Sequence, residues 1–228
     1  TAMDRNEFLK RVREAAIEGR KYPVEIDPAA TAEFAYVGGG EDPVGAFLQE
    51  WKGVGGEGER VAKDGDAVAY VRNVVEKCAA KKILLWRHPV LERLRLEELF
   101  RETGIEFWWW DDLEKLTAEE RRETAFGADV GITSVDWAIA ETGSLAMCSG
   151  AGGRGRSVSL LPPVHIAIFE PKQLIPDLFD LYPLLEQQPG GLPSNVTLIT
   201  GPSKTGDIQL KLTTGVHGPG EVHAVIIE

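Results

Sequence analysis

The sequence predicts an α/β protein, with a mostly parallel β-sheet flanked by helices and a helical extension at its N-terminus. Three observations support that class. Between residues 59 and 228, short apolar runs alternate with amphipathic stretches of helical period, the pattern of βα units. Gly- and Pro-containing stretches punctuate those runs. The 228 residues are 43% hydrophobic, enough to bury the core of one large domain.

The elements follow in chain order. Residues 3–18 place Phe8, Leu9, Val12 and Ala16 on one stripe, which predicts an amphipathic helix. A connection at 19–40 leads to a second helix at 43–52, carrying Val44, Phe47, Leu48 and Trp51. The loop GVGGEGE (53–59) sets the boundary between an N-terminal extension (1–58) and the main domain (59–228). ERVAK (59–63) is a weak strand. Residues 64–80 form a helix with Val68, Val71, Val75 and Cys78 on its apolar side. KKILLW (81–86) is a buried strand, 90–103 a helix and IEFWWW (105–110) a strand. Thr117-Ala-Glu-Glu120 is a capping box that opens a short helix. Strands follow at 129–135 and 162–169, a helix at 174–187, and strands at 195–200 and 221–228.

Charge and cysteine usage narrow the function. The net charge of −11 repels a polyanion, and no run rich in Lys and Arg offsets it, so nucleic acid is not the expected partner. No apolar run reaches the roughly 20 residues that span a bilayer. The first residues lack the apolar core of a secretory signal. Cys78 and Cys148 are too few for a disulfide framework or for an iron–sulfur cluster, which takes four thiolates. A reducing cytoplasm is the expected location.

Three stretches have the composition of a site. GPSKTGD (201–207) follows a strand, where open α/β sheets bind ligands. Gly201 permits close approach, Ser203 and Thr205 donate hydrogen bonds, Lys204 adds positive charge, and Asp207 fixes the loop or orients a hydroxyl. The same residues also make a tight turn capped by its own side chains, so both readings stand. In AIAETGSL (138–145), Glu141 lies within an apolar run before Thr142, Gly143 and Ser144. Burial would raise its pKa and suit acid–base or nucleophilic work; the alternative is a carboxylate tied to turn N–H groups. GVHGPGEVH (215–223) holds His217 between glycines as an acid, base or anion donor. A metal site built from His165, His217 and His223 lacks a close-spaced ligand pair, and none is expected.

Two further patterns have simpler readings. GAGGRG (150–155) matches GxGxxG by letter, but Pro162-Pro163 stop any helix early, so it is no dinucleotide fingerprint. Arg154 and Arg156 would instead close over a bound anion. Trp108-Trp109-Trp110 cannot all line one face of a strand; they read as core packing with one ring exposed.

Taken in order, AIAETGSL (138–145), SLLPPVHIAI (159–168), ITGPSKTGDI (199–208) and GVHGPGEVHAVII (215–227) closely resemble the LUD domain family, within it the lactate-utilisation proteins. That resemblance implies a fold like the NagB/RpiA/CoA-transferase group. It implies a role in oxidising L-lactate to pyruvate beside iron–sulfur partner proteins. It also implies that the clusters sit on those partners, with no cofactor in this chain. A flavin is left open by the sequence. Within that frame Glu141 and His217 are the expected catalytic pair. The anion-binding set is Thr142, Gly143, Ser144, Gly201, Ser203, Lys204, Thr205 and Asp207, with Arg154 and Arg156 as lid charges. A non-catalytic assembly subunit is the competing reading. An independent enzyme acting on a small carboxylate, sugar phosphate or acyl-CoA comes last.

Overall fold

A computed structural model of the chain describes residues 4–21, 38–150, 154–189, 191–205 and 213–228. Asp207 lies outside the described residues. The chain divides into two compact units, Thr1–Tyr36 and Val37–Glu228. The smaller unit holds helix α1 (Arg5–Gly19), which buries none of its residues.

The larger unit is α/β, as the alternation predicts. Its main sheet has six strands, β1 (Glu57–Val61), β2 (Lys82–Leu85), β3 (Glu106–Trp109), β4 (Val130–Thr133), β7 (Val164–Phe169) and β12 (Glu221–Ile227). They lie in the order β1-β12-β7-β4-β2-β3, and every neighbouring pair is parallel. Helices α3 (Asp64–Lys77), α4 (Pro89–Leu94), α5 (Leu96–Thr103) and α6 (Ala118–Phe126) connect the strands. The predicted capping box is present on α6: Glu120 N–H donates to Thr117 Oγ1 while the Glu120 carboxylate accepts from Thr117 N–H. From β2 the chain runs outward to β3, then returns to β4 and proceeds the other way to β7 and β12. The carboxyl ends of β2 and β4 therefore flank a topological switch point, where open parallel sheets leave a crevice.

Helix α2 (Pro43–Gly53) lies on the N-terminal side of the expected boundary near residue 58. It places Val44, Phe47 and Trp51 in the core of the larger unit. Phe47 stacks on Trp51 at 5.8 Å between centroids and meets Phe169 of β7 edge-on at 5.4 Å. Its stripe of apolar residues at helical spacing is satisfied by the sheet.

The structure adds a second sheet that periodicity did not resolve. Strands β8 (Leu174–Ile175), β5 (Trp137–Ile139), β6 (Ser144–Ser149) and β9 (Asn195–Ile199) lie in the order β8-β5-β6-β9. β6 is antiparallel to both β5 and β9, so residues 195–199 leave the parallel sheet altogether. The helix expected at 174–187 begins later: Leu174 and Ile175 pair with β5, and helix α8 spans Leu178–Glu186. A four-residue helix, α7 (Ser157–Leu160), ends just before Pro162-Pro163, and β10 (Lys204–Thr205) pairs with β11 (Thr213–Thr214).

Candidate functional site at the hairpin turn

The residues ETGS form the turn of the β5–β6 hairpin, and their chemistry follows from what that turn touches. Gly143 adopts φ +57°, and a Cβ there would lie 2.4 Å from the backbone nitrogen of Trp51. The hairpin tip thus rests directly on the last turn of α2, at a separation that leaves no room for a side chain. On its other side the turn extends the β5–β8 ladder. Ala140 N–H donates to the Ile175 carbonyl (2.9 Å) and Glu141 N–H to the Pro176 carbonyl (3.1 Å).

That pairing brings Glu141 to Asp177. Asp177 is fully buried and caps α8, accepting from Phe179 N–H at 2.8 Å. Its carboxyl lies beside the half-buried Glu141 carboxyl and acts on its titration. Burial first, then the hydrogen bond to and charge of Asp177, raise the Glu141 pKa above its ordinary value. Two neighbouring carboxyls cannot both ionise as readily as either would alone.

Hydroxyls continue the site. Thr142 Oγ1 donates to Ser144 Oγ at 2.8 Å, and Ser144 Oγ bonds Thr200 Oγ1 at 2.7 Å. Thr200 leads into the predicted loop, where Gly201 (φ +74°) passes against Val54. Lys204 sits on the short β10 ribbon beside Thr205, and its ammonium donates to the Val54 carbonyl at 2.5 Å. That carbonyl lies just past the end of α2, so the charge faces the negative pole of the helix. Ser203 N–H donates to the Pro219 carbonyl (2.9 Å) and Gly215 N–H to the Ser203 carbonyl (3.0 Å). These bonds hold the 215–220 loop alongside, with His217 exposed upon it.

Arg154 and Arg156 lie elsewhere. β6 runs from Ser144 at the turn to Ser149, and at about 3.3 Å per residue its far end is about 17 Å away. There Arg154 Nη1 donates to Asp136 Oδ1 (2.5 Å), and Asp136 Oδ2 accepts from Cys148 N–H (2.6 Å). Trp86, just beyond β2, donates its indole N–H to the Gly155 carbonyl at 2.9 Å. Trp110, just beyond β3, packs so closely on Gly155 that a Cβ there would lie 2.0 Å from its ring.

The sequence reading missed Asp177, Thr200 and Asp136. Asp177-x-x-Asp180 before an apolar helix is a legible cap, but nothing local says that it faces Glu141. The histidines considered for a metal separate: His165 Nε2 bonds Thr133 Oγ1 at 2.8 Å, whereas His223 bonds the Tyr70 hydroxyl at 2.9 Å. Complete burial lowers the His165 pKa to about 3 and keeps it neutral. Ligand-type atoms of Glu57, Glu221 and His223 gather within 4.8 Å of one another. The Lys77 ammonium lies 3.1 Å from Glu221 and 3.8 Å from Glu57, and supplies the positive charge there.

A crystal structure of a DUF162 family protein from Deinococcus radiodurans matches 82% of this chain and 96% of that one, with a TM-score of 0.54 and 15% identity. This match shows that the fold is shared with a known α/β protein class. The LUD domain model matches residues 45–227. The chain belongs to the LUD domain family. Its relatives include Lactate utilization protein C of Halalkalibacterium halodurans, 34% identical over 69% of this chain and 67% of that protein. The Bacillus subtilis protein of the same name is 31% identical over the same shares. That of an Exiguobacterium species is 39% identical over 55% of this chain and 54% of its own length. The chain thus spans half to two thirds of these relatives. Among the described residues no helix is long and apolar enough to cross a membrane.

Proposed function

We propose that this chain is the hydroxy-acid-handling component of an L-lactate utilisation system. Support comes from the relatives named for lactate utilisation. The carrying observation is the neighbouring Glu141 and Asp177 carboxyls beside the hydroxyls of Thr142, Ser144 and Thr200. Converting a 2-hydroxy acid to a 2-oxo acid removes two electrons and two protons. Glu141 would take the proton of the substrate hydroxyl at a carboxylate oxygen, and the hydroxyls would orient the acid. Glu141 can take a proton only as a carboxylate, so turnover rises with pH through its raised pKa.

In this proposal both electrons, together with the hydrogen on the carbinol carbon as the second proton, go to the iron–sulfur partner proteins. The chain's own thiols do not fit a cluster. Cys78 and Cys148 are both free and lie on different elements. Burial raises both pKa values, Cys148 to about 11, and two thiols are half of the four that a cluster takes.

The test is growth on L-lactate as sole carbon source. The native copy is deleted and complemented with wild type or Glu141→Gln, with protein level and partner pull-down checked in both strains. The expected outcome is a variant that accumulates, still docks and fails to grow. Normal growth of the variant would reduce Glu141 to a structural carboxyl and favour an assembly role. One observation speaks for that second reading: Phe8, Val12 and Ile17 of α1 are exposed large apolar side chains. Removing residues 1–21 while keeping the lactate site would then abolish docking.

A further inference from the structure

The far end of β6 opens onto a crevice that the lactate reading does not use. Its volume is about 590 Å³, and Trp110, Ser149, Arg154, Arg156, Ser157 and Asn195 are among its lining residues. It lies beyond the carboxyl ends of β2, β3 and β4, at the switch point of the parallel sheet. We infer that this crevice binds a phosphate-bearing planar ring of mononucleotide size.

Size is the first ground. The volume falls in the range of sites that enclose ligands of some twenty or more heavy atoms. A three-carbon hydroxy acid has six and would leave most of it filled by water.

Charge is the second. The chain has a net charge of −11, yet no carboxylate lines this crevice among the described residues. Asp136 sits behind Arg154 and takes one guanidinium nitrogen together with the Cys148 N–H. The other nitrogens of Arg154 keep donor capacity. Arg156 is exposed and makes no ion pair among the described residues. Asn195 accepts from Thr197 through Oδ1 (2.8 Å), which leaves its NH₂ group to donate. The hydroxyls of Ser149 and Ser157 add two more donors. A phosphate, with three acceptor oxygens, uses such a set more fully than a carboxylate does.

The third ground is the tryptophan clamp. Gly155 is held by the Trp86 N–H on its carbonyl and by the Trp110 ring against its Cα. This fixes the backbone that carries the two arginines on either side of it before any ligand arrives. The rest of the half-buried Trp110 indole lines the crevice and offers a surface for a flat ring. The site differs from a dinucleotide fingerprint, since Gly150 and Arg154 form a β-bridge where that motif needs a helix to open.

The inference does not depend on the lactate proposal, and its test reads binding in vitro rather than growth. The intact chain is titrated by calorimetry with AMP, flavin mononucleotide, adenosine, riboflavin, inorganic phosphate and L-lactate. The expected result is saturable one-to-one binding of AMP or flavin mononucleotide. The matching nucleoside and free phosphate should each bind at least ten-fold more weakly. Binding of AMP alone identifies an adenine ring, and binding of the flavin alone an isoalloxazine. Arg156→Glu should weaken the binding at least ten-fold with an unchanged unfolding midpoint, because the exposed side chain holds nothing in the fold. Asn195→Ala provides a second variant should the first fail to fold, and should also weaken binding. If neither nucleotide binds more tightly than phosphate, or if both variants bind as wild type does, the inference is wrong.

Discussion

The two ends of strand β6 show opposite uses of charge. At Ser144 the hairpin turn brings two carboxyls together, Glu141 and Asp177. At Ser149 the strand opens beside an arginine matched to a carboxylate, with a second arginine left over. Like charges in contact stabilise a bound proton; an excess of one sign stabilises a counter-ion. In the two proposals above, the same strand would serve proton chemistry at one end and anion capture at the other. What distinguishes the two ends is the identity of the charged groups that the strand brings together.

The sharpest way to break the first end is to remove its platform. Trp51 is fully buried, donates its indole N–H to the Glu57 carbonyl at 2.7 Å, and presents its backbone to Gly143. Trp51→Ala should cost about 3–5 kcal/mol of stability by denaturant unfolding. The corresponding break at the far end is Gly155→Ala, whose added methyl collides with the Trp110 ring. It should cost about 1–3 kcal/mol through overpacking. NMR titration should then find the Glu141 pKa unchanged, because the two ends are separate.

A finer test removes the like charge without removing the fold. Asp177→Asn keeps a good helix N-cap and deletes the second carboxyl. The Glu141 pKa should fall towards its ordinary value, since the hydrogen bond and charge that help to raise it are gone. Under the proposed function, the rising limb of the pH–rate profile for L-lactate oxidation should move to lower pH by the same amount. A limb that stays in place would separate Glu141 from the titrating group.

The smallest effect belongs to Lys204. Its ammonium bonds the carbonyl beyond α2, an exposed helix-end interaction. Lys204→Ala should lower stability by less than about 1 kcal/mol in thermal unfolding. Complemented strains carrying it should still grow on L-lactate. Failure to grow at normal protein level would return this lysine to the ligand.

Much of the fold was legible because its determinants are local. The βα alternation, the cap at Thr117 and the apolar stripe of α2 depend on neighbours within a few positions, and each has its counterpart in the structure. The second sheet was not legible in the same way. Residues 138–145 and 195–200 look like any apolar runs, and periodicity does not say which partner a strand chooses or in which direction. The expected helix start at 174 failed for a related reason. Leu174 and Ile175 suit either period, and pairing with β5 decided the matter. Within the site, Glu141, Thr142 and Ser144 stood out by residue type in an apolar context, whereas Asp177 looked like an ordinary helix cap.

By itself the sequence determined the α/β class, the family, the turn residues and the types of group available for chemistry. Those are encoded by short-range spacing and by side-chain chemistry, which any linear reading can follow. The tertiary structure decided which groups meet. It joined Glu141 to Asp177 through the β5–β8 ladder, turned Lys204 towards a helix end, and carried Arg154 and Arg156 to the far end of β6. Such pairings depend on strand register and chain crossing, which are fixed by the burial of the whole core.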